Sequence, residues 1–252
     1  MRRSFRGLIL CFLTVLTFSS CNFTEEMTIQ PDGSGDISIN FDGSSLMQMA
    51  GDKLSENGEV QQMDSIIDFS HFLEEKKDSI SLLSTEEQEK LKALENFKMR
   101  ISMDTEAQKM DFSMVTDFKD VNELADMMSS FQKASAVQKP GGSVMANQKS
   151  PMGSGSQGTD VEYSFTDNRF SRVTTIVDRE LFQQSVDSLE QARMFLGEST
   201  YTLNYHFPKK IKEISAKDAL FSQDGKSFTL EVDFLELMEN PKVLDIEVEL
   251  EK

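Results

Sequence analysis

Apolar and polar side chains alternate at Met27 and Ile29, break at Pro31-Asp32-Gly33-Ser34-Gly35, and resume at Ile37, Ile39 and Phe41. Period-two alternation on both sides of a Gly-rich turn predicts a β-hairpin. Val60, Met63, Ile66, Ile67, Phe69 and Leu73 recur at spacings that predict a helix. Ser84 with Glu87 three positions on forms a capping box for a further helix carrying Leu91, Leu94 and Phe97. A second hairpin is predicted by Met99, Ile101 and Met103 followed by Met110, Phe112 and Met114, and Val121, Leu124, Ala125, Met128 and Phe131 then mark another amphipathic helix.

Residues 138–159 are rich in Gly, Ser, Gln, Lys and Pro with no periodicity, which predicts a flexible loop. Beyond it, Val161, Tyr163 and Phe165 and the stretch 170–177 predict a third hairpin joined at Asp167-Asn168, followed by a helix with Phe182, Val186, Leu189 and Leu196. Hairpin followed by helix thus occurs on both sides of the loop, as a duplicated unit or as the ordinary economy of α+β folds. The C-terminal part alternates cleanly: Tyr201, Leu203, Tyr205, Phe207; then Phe228, Leu230, Val232, Phe234 after a Gln223-Asp224-Gly225-Lys226 turn; then Ile246, Val248, Leu250. Leu235, Leu237 and Met238 between the last two strands suit one helical turn ended by Asn240-Pro241. The expected fold class is α+β: one large, mainly antiparallel, curved sheet of hairpins with amphipathic helices packed on one face.

The N-terminus follows a different grammar. Arg2, Arg3 and Arg6 precede an apolar run of 12 residues at 7–18, and Phe18-Ser19-Ser20 leads directly to Cys21. Such a run is too short to cross a hydrocarbon core ~30 Å thick as a helix, so it reads as the apolar part of a signal peptide. Small residues before a cysteine resemble the lipobox of bacterial lipoproteins, in which the cysteine receives diacylglycerol and becomes the first residue after cleavage. Phe18 stands where Leu is usual, as in the looser lipoboxes of Bacteroidota. The expected organisation is a lipoprotein signal peptide at 1–20 and a single α+β envelope domain at 21–252. Cys21 is the lipidation site, and the attached acyl chains, palmitate among them, are the membrane anchor. The only other cysteine, Cys11, lies in the segment that would be removed, so no internal disulfide is expected. Asn22 leaves outer-membrane sorting open, and Glu25 with Glu26 loosely resembles the acidic tags that send some Bacteroidota lipoproteins to the surface. The expected address is the cell envelope, lipid-anchored, at the outer membrane on its periplasmic or surface face.

Charge narrows the partners. Removing residues 1–20 takes away three arginines and no acid, moving the net charge from −17 to −20 over 232 residues. Nucleic-acid binding needs a basic footprint and is excluded as an expectation. The same charge disfavours lying flat on anionic lipid.

Catalytic patterns are sparse. His71 falls in a predicted helix and His206 on the wet side of a predicted strand, far apart in sequence, so no metal site and no cofactor are expected. No nucleophile elbow, phosphate loop or His-Glu-x-x-His occurs. Asp32-Gly33-Ser34-Gly35-Asp36 lacks the alternating oxygens and closing Glu of a calcium loop and suits a hairpin turn. Acid pairs such as Glu74-Glu75, Glu86-Glu87 and Asp117-Asp120 are expected by chance among 43 acids. Lys209, Lys210 and Lys212 form the one compact basic cluster, a candidate contact for a lipid headgroup or a partner, or else solvated and internally paired. The 15 methionines fit a core first and an adaptable apolar surface second.

Three of these features together resemble a lipoprotein family of Bacteroidota: the Pro31-Asp32-Gly33-Ser34-Gly35 hairpin, the run Tyr201-Thr202-Leu203-Asn204-Tyr205-His206-Phe207-Pro208, and the Asp224-Gly225-Lys226 turn before the closing strands. More remotely the chain is similar to the mycobacterial LppM type, with an Asp-Gly turn on an early strand and a late strand ending in Phe-Pro before a basic residue. The resemblance covers residues 21–45 and 198–252, and it implies lipid binding in a curved-sheet cavity without transferring any ligand residue. The expected function is a membrane-anchored, non-catalytic binding module for lipid or an envelope protein. The alternative is a structural or assembly accessory of an envelope complex without a ligand cavity. No enzymatic activity is expected.

Overall fold

A computed structural model describes residues 22–45, 47–48, 62–92, 94–124, 158–189 and 193–252. Strand β1 (Asn22–Ile29) turns into β2 (Gly35–Asp42) in full antiparallel register, from Asn22 opposite Asp42 to Ile29 opposite Gly35. The turn uses Gly33 at φ +86°, and Asp32 Oδ1 accepts from both the backbone N–H and the hydroxyl of Ser34. β3 (Gln62–Asp68), β4 (Lys98–Asp104) and β5 (Lys109–Phe118) continue the sheet. β6 (Thr159–Thr166) and β7 (Arg169–Ile176) are joined by Asp167 and Asn168, both in the left-handed region that a two-residue hairpin turn needs. β8 (Thr200–His206), β9 (Ile211–Ile214), β10 (Leu220–Phe221), β11 (Ser227–Asp233) and β12 (Ile246–Leu250) complete the strands among the described residues.

These strands form two sheets where the alternation predicts one. The first has eight strands in the order β10-β11-β8-β1-β2-β5-β4-β3, and the second has four in the order β6-β7-β12-β9. Within the first, β1 pairs parallel with β8, Asn22 opposite Thr200 and Thr28 opposite His206. The hairpin after the loop therefore lies in a different sheet from the two before it. The reason is burial: one face of the large sheet carries Phe23, Met27, Ile37, Ile39, Phe41, Met99, Phe112, Met114, Leu203 and Tyr205, all withdrawn from water. An apolar face of that size must be covered, and Phe170 of β7 packs edge-on against Tyr205 and Phe207 to cover part of it.

Helices cover more of the same face. α1 (Phe69–Glu75), α2 (Lys77–Ile80) and α3 (Thr85–Lys92) lie between β3 and β4, and Phe69, Leu91, Leu94 and Phe97 join the core. α4 (Arg179–Leu189) and α5 (Arg193–Leu196) follow β7 and add Leu189 and Leu196. α6 (Phe234–Glu239) follows β11, and Phe234 stacks on Phe23 with centroids 4.4 Å apart. The turn after it has Pro241 near its start, as Asn240-Pro241 predicts. At the outer edge of β6, Asn122 uses its side-chain amide to give and take hydrogen bonds with the Phe165 backbone, blunting that edge.

Several expectations are corrected. Of the helix predicted over Val60 to Leu73, the described part is strand β3 followed by α1, because Met63, Ser65 and Ile67 pair with Met103, Ile101 and Met99 of β4. Leu196 belongs to the separate turn α5. Thr159 opens β6 instead of closing a loop, while 138–157 lies outside the described residues. Of the helix predicted from Val121, the described part is a 3₁₀ turn over Val121–Glu123. Residues 1–21, with the signal segment and Cys21, also lie outside them.

Candidate functional site

β1 points Phe23, Glu25, Met27 and Ile29 into the core, so a carboxylate occupies a position whose parity is apolar. Glu25 is 1% exposed. Leu203 of β8 lies opposite it, which places Tyr201 and Tyr205 two residues to either side on the same face. Tyr201 donates to Glu25 Oε2 at 2.7 Å and Tyr205 donates to Oε1. The second sheet supplies the remainder: Tyr163 of β6 and Arg172 of β7 are direct cross-strand partners. Tyr163 donates to Glu25 Oε1 at 2.9 Å, and Arg172 Nη2 is 3.5 Å from Oε2. All three tyrosines of the chain therefore converge on one carboxylate. Three phenolic donors and one guanidinium thus share its two oxygens.

Arg172 reaches further, donating from Nη1 to Thr174 Oγ1 at 3.4 Å and to the Leu244 carbonyl at 3.3 Å, with its guanidinium 5.9 Å from the Tyr163 ring centroid. Its Nε has no hydrogen-bond partner although buried. Burial raises the Glu25 pKa, but the Arg172 charge and the three phenolic donors outweigh it and hold the carboxyl below its usual 4.5. Burial would lower the Arg172 pKa, and the Glu25 charge overrides it to leave the guanidinium more firmly protonated. Burial and the adjacent carboxylate push Tyr201 and Tyr205 well above 10.0. The cluster is an ion pair closed within its own donors, chemically suited to joining two sheets and not to meeting a substrate.

The face of the large sheet away from the core is mostly polar, with Ile66 and Val115 as exposed apolar exceptions. Its rows follow from the register: Asn22, Asp42, Asp111 and Ser102 form one, and Thr24, Asn40, Ser113 and Arg100 the next. These residues line an open groove of ≈ 330 Å³ at the end of β1 nearest Cys21. Arg100 is held over it by a two-pronged pair with Asp64, at 2.9 and 2.8 Å. A groove of this size with opposed charges and hydroxyls can hold a small polar group.

The residues singled out from sequence are dispersed. His71 is exposed on α1 beside Glu75, and His206 is exposed on β8 with Nδ1 2.7 Å from the Ser227 hydroxyl. Lys209 donates to the Asn168 side chain, Lys212 pairs with Glu249, and Lys210 is exposed between them. Glu25 is not an accessible acidic tag, because its carboxylate is sealed between the sheets. Nor did the chemistry sought in the sequence reveal the Glu25 cluster. The signal was present in the phase of β1, where Glu25 shares the parity of Phe23 and Met27, and in Arg172, which shares that of Phe170.

No family model matches the chain, and no curated protein matches it. Among solved structures, the chain is similar to the folded domain of the Mycobacterium tuberculosis LppM protein, determined by NMR. The TM-score is 0.34 and the identity 8%, over 92% of this chain and 89% of that one.

Proposed function

We propose that this chain is a lipid-anchored envelope protein, held through Cys21, whose folded part is a non-catalytic binding module for lipid or a partner protein. The observation that carries the proposal is the position of β1. Its first residue is Asn22, immediately after the cysteine, and it lies inside the eight-stranded sheet between β2 and β8. The residue that follows the cysteine is thus already paired in the sheet, opposite Asp42 and Thr200. An acyl group on Cys21 would leave the domain no linker and hold the Asn22 end of the sheet against the membrane, and an Asn after the cysteine leaves the outer membrane open as that membrane. No helix among the described residues is long and apolar enough to cross a membrane.

Binding falls to the outer surface. The Met and Phe side chains of the inner face pack against the second sheet and the helices, whereas the groove lined by Asn22, Thr24, Asn40, Asp42, Arg100 and Asp111 opens beside the anchor point. Its polar lining and its place favour a headgroup-sized ligand. The filled inner face also supports a second reading, a structural or assembly accessory without an internal cavity. Membrane fractionation of the wild type and Cys21→Ala tests the anchor: release of the variant is expected, and a wild type that fractionates as soluble would overturn it. Native mass spectrometry of the detergent-released protein separates the two readings, since a stoichiometric adduct lost in Asp42→Ala/Asp111→Ala supports the groove and a bare mass supports the accessory.

A further inference from the structure

We infer that the groove at the Asn22 end of the large sheet binds a zwitterionic aminoethyl phosphate headgroup, with the primary ammonium of the lipid seated between Asp42 and Asp111. This deepens the reading of the chain as an anchored binding module and rests on it.

The strand register gives the groove its sign. Asp42 lies directly opposite Asp111, and the Gly43 N–H bonded to the Met110 carbonyl makes the adjacent pair the hydrogen-bonded one. The two acids therefore occupy a non-hydrogen-bonded pair, in which Cα atoms approach to ~4.5 Å and side chains stand closest together. Like charges placed directly opposite are destabilising. Asp42 commits one oxygen to the Ser44 N–H, and no hydrogen bond holds the Asp111 carboxylate among the described residues. A cation between them would satisfy both.

The neighbouring charges do not supply it. Arg100, the only cation among the described residues that line the groove, is committed to Asp64 through two hydrogen bonds. Lys109, on the same face and one row nearer the anchored end, lies opposite Asp104. Asp42, Asp64, Asp104 and Asp111 against Arg100 and Lys109 leave this corner of the sheet negative, which repels an anionic headgroup.

The fitting cation is a primary ammonium. No group of three acids, histidines or cysteines converges among the described residues, and a groove of ≈ 330 Å³ is far larger than a bare metal ion. Quaternary ammonium recognition uses aromatic faces, and the two rings at the groove, Phe41 and Phe112, are buried in the core. A primary ammonium brings three N–H donors, which carboxylates accept in short, charge-assisted bonds.

Position selects a lipid as its source. β1 and β5 both run antiparallel to β2, so Lys109 stands two residues, ~7 Å, nearer the anchored end than Asp111. A headgroup rising from the leaflet then meets Lys109 with its phosphate and the Asp42-Asp111 pair with its ammonium, in the order in which those groups leave the glycerol. Arg100 lies one row beyond and sets a positive charge at the far side of the groove.

The probes are phosphatidylethanolamine, phosphatidylcholine and phosphatidylglycerol with matched acyl chains, mixed in equal amounts with the full lipidated chain in detergent and read by native mass spectrometry. The phosphatidylethanolamine adduct is expected to exceed each of the others at least about tenfold, the worth of one charge-assisted hydrogen bond. The preference should vanish in Asp42→Asn/Asp111→Asn. That variant relieves a like-charge contact, so its melting temperature should not fall. Ser113→Lys, which sets a cation in the next row, repeats the test should the first variant fold poorly by circular dichroism. Equal adducts from all three lipids overturn the inference and leave lipid binding standing. A preference that survives in the variant also overturns it, by placing the site elsewhere. Displacement of the adduct by equimolar free phosphoethanolamine assigns the groove to a soluble amine and overturns the lipid source. A bare mass with every lipid overturns the inference together with the binding reading on which it rests.

Discussion

Glu25 and Arg172 meet between the two sheets, Oε2 to Nη2 at 3.5 Å, with side chains 1% and 6% exposed. Each sheet contributes one charge, so neither can part from the other without stranding an ion in an apolar environment. Buried pairs of this kind add little to stability compared with a well-packed apolar replacement, but losing one half is costly. Their effect here is to specify how the sheets meet.

Removing one partner should therefore do more harm than removing both. Glu25→Leu or Arg172→Met alone is expected to destabilise the fold by about 3–5 kcal/mol, whereas the double variant recovers most of that loss. Urea unfolding of the four proteins gives the coupling energy. Equal losses in the singles and an additive double would show that the pair is not what joins the sheets.

The pH profile follows from the same cluster. Glu25 has a folded pKa below its usual 4.5, so its contribution is present above that value and lost as pH falls through the folded pKa. Tyr201 and Tyr205 are shifted upward, so their contribution is complete below 10.0 and lost as pH rises toward their folded values. Asp32, Asp64, Asp68, Asp224 and Glu249 are also lowered, but all five are at least partly open to solvent and screened. Thermal denaturation from pH 2 to 11 should show the stability gap between wild type and Glu25→Gln narrowing below pH 4.5. A gap constant over that range would contradict the assignment of charge to Glu25.

The three tyrosines should be unequal to ordinary surface tyrosines but not to one another in kind. Tyr163→Phe, Tyr201→Phe and Tyr205→Phe each delete one hydrogen bond to a charged acceptor, with an expected cost of about 1.5–3 kcal/mol. The combined variant should lose less than the sum, because freed space admits water to the carboxylate. Chemical denaturation with each variant tests this, and a neutral Tyr201→Phe would count against the network.

Two glycines in the first hairpin make opposite demands. A Cβ on Gly35 would stand 1.8 Å from the Thr28 carbonyl oxygen and 2.7 Å from Phe118 Cζ, while one on Gly33 meets nothing within 4 Å. Gly33→Ala should cost only the left-handed backbone strain of about 1–2 kcal/mol. Gly35→Ala must displace backbone and should cost several times as much, or prevent folding. Comparing melting temperatures checks the order, and a milder effect at Gly35 would refute the close approach.

The hairpins were legible because their information is local. Alternation at Met99 to Met114 and the Asp167-Asn168 turn declare themselves within a dozen residues, and β4-β5 and β6-β7 pair as that pattern predicts. β3 was not legible, since Met63, Ile66, Ile67 and Phe69 suit a helical stripe as well as a strand until β4 supplies the partner. β9 and β10 were missed because four and two residues are too few to establish a period.

For this protein the residues alone determined where the chain alternates, where it turns, and which face of each strand seeks the core, since these depend on side chains a few positions apart. Tertiary structure decided that the strands divide into two sheets, that β1 pairs parallel with β8, and that Glu25 finds Tyr163, Tyr201, Tyr205 and Arg172. Those partners lie 138 to 180 positions away from Glu25. A buried carboxylate is tolerable only when such distant donors have already been brought around it, and no local pattern encodes that condition.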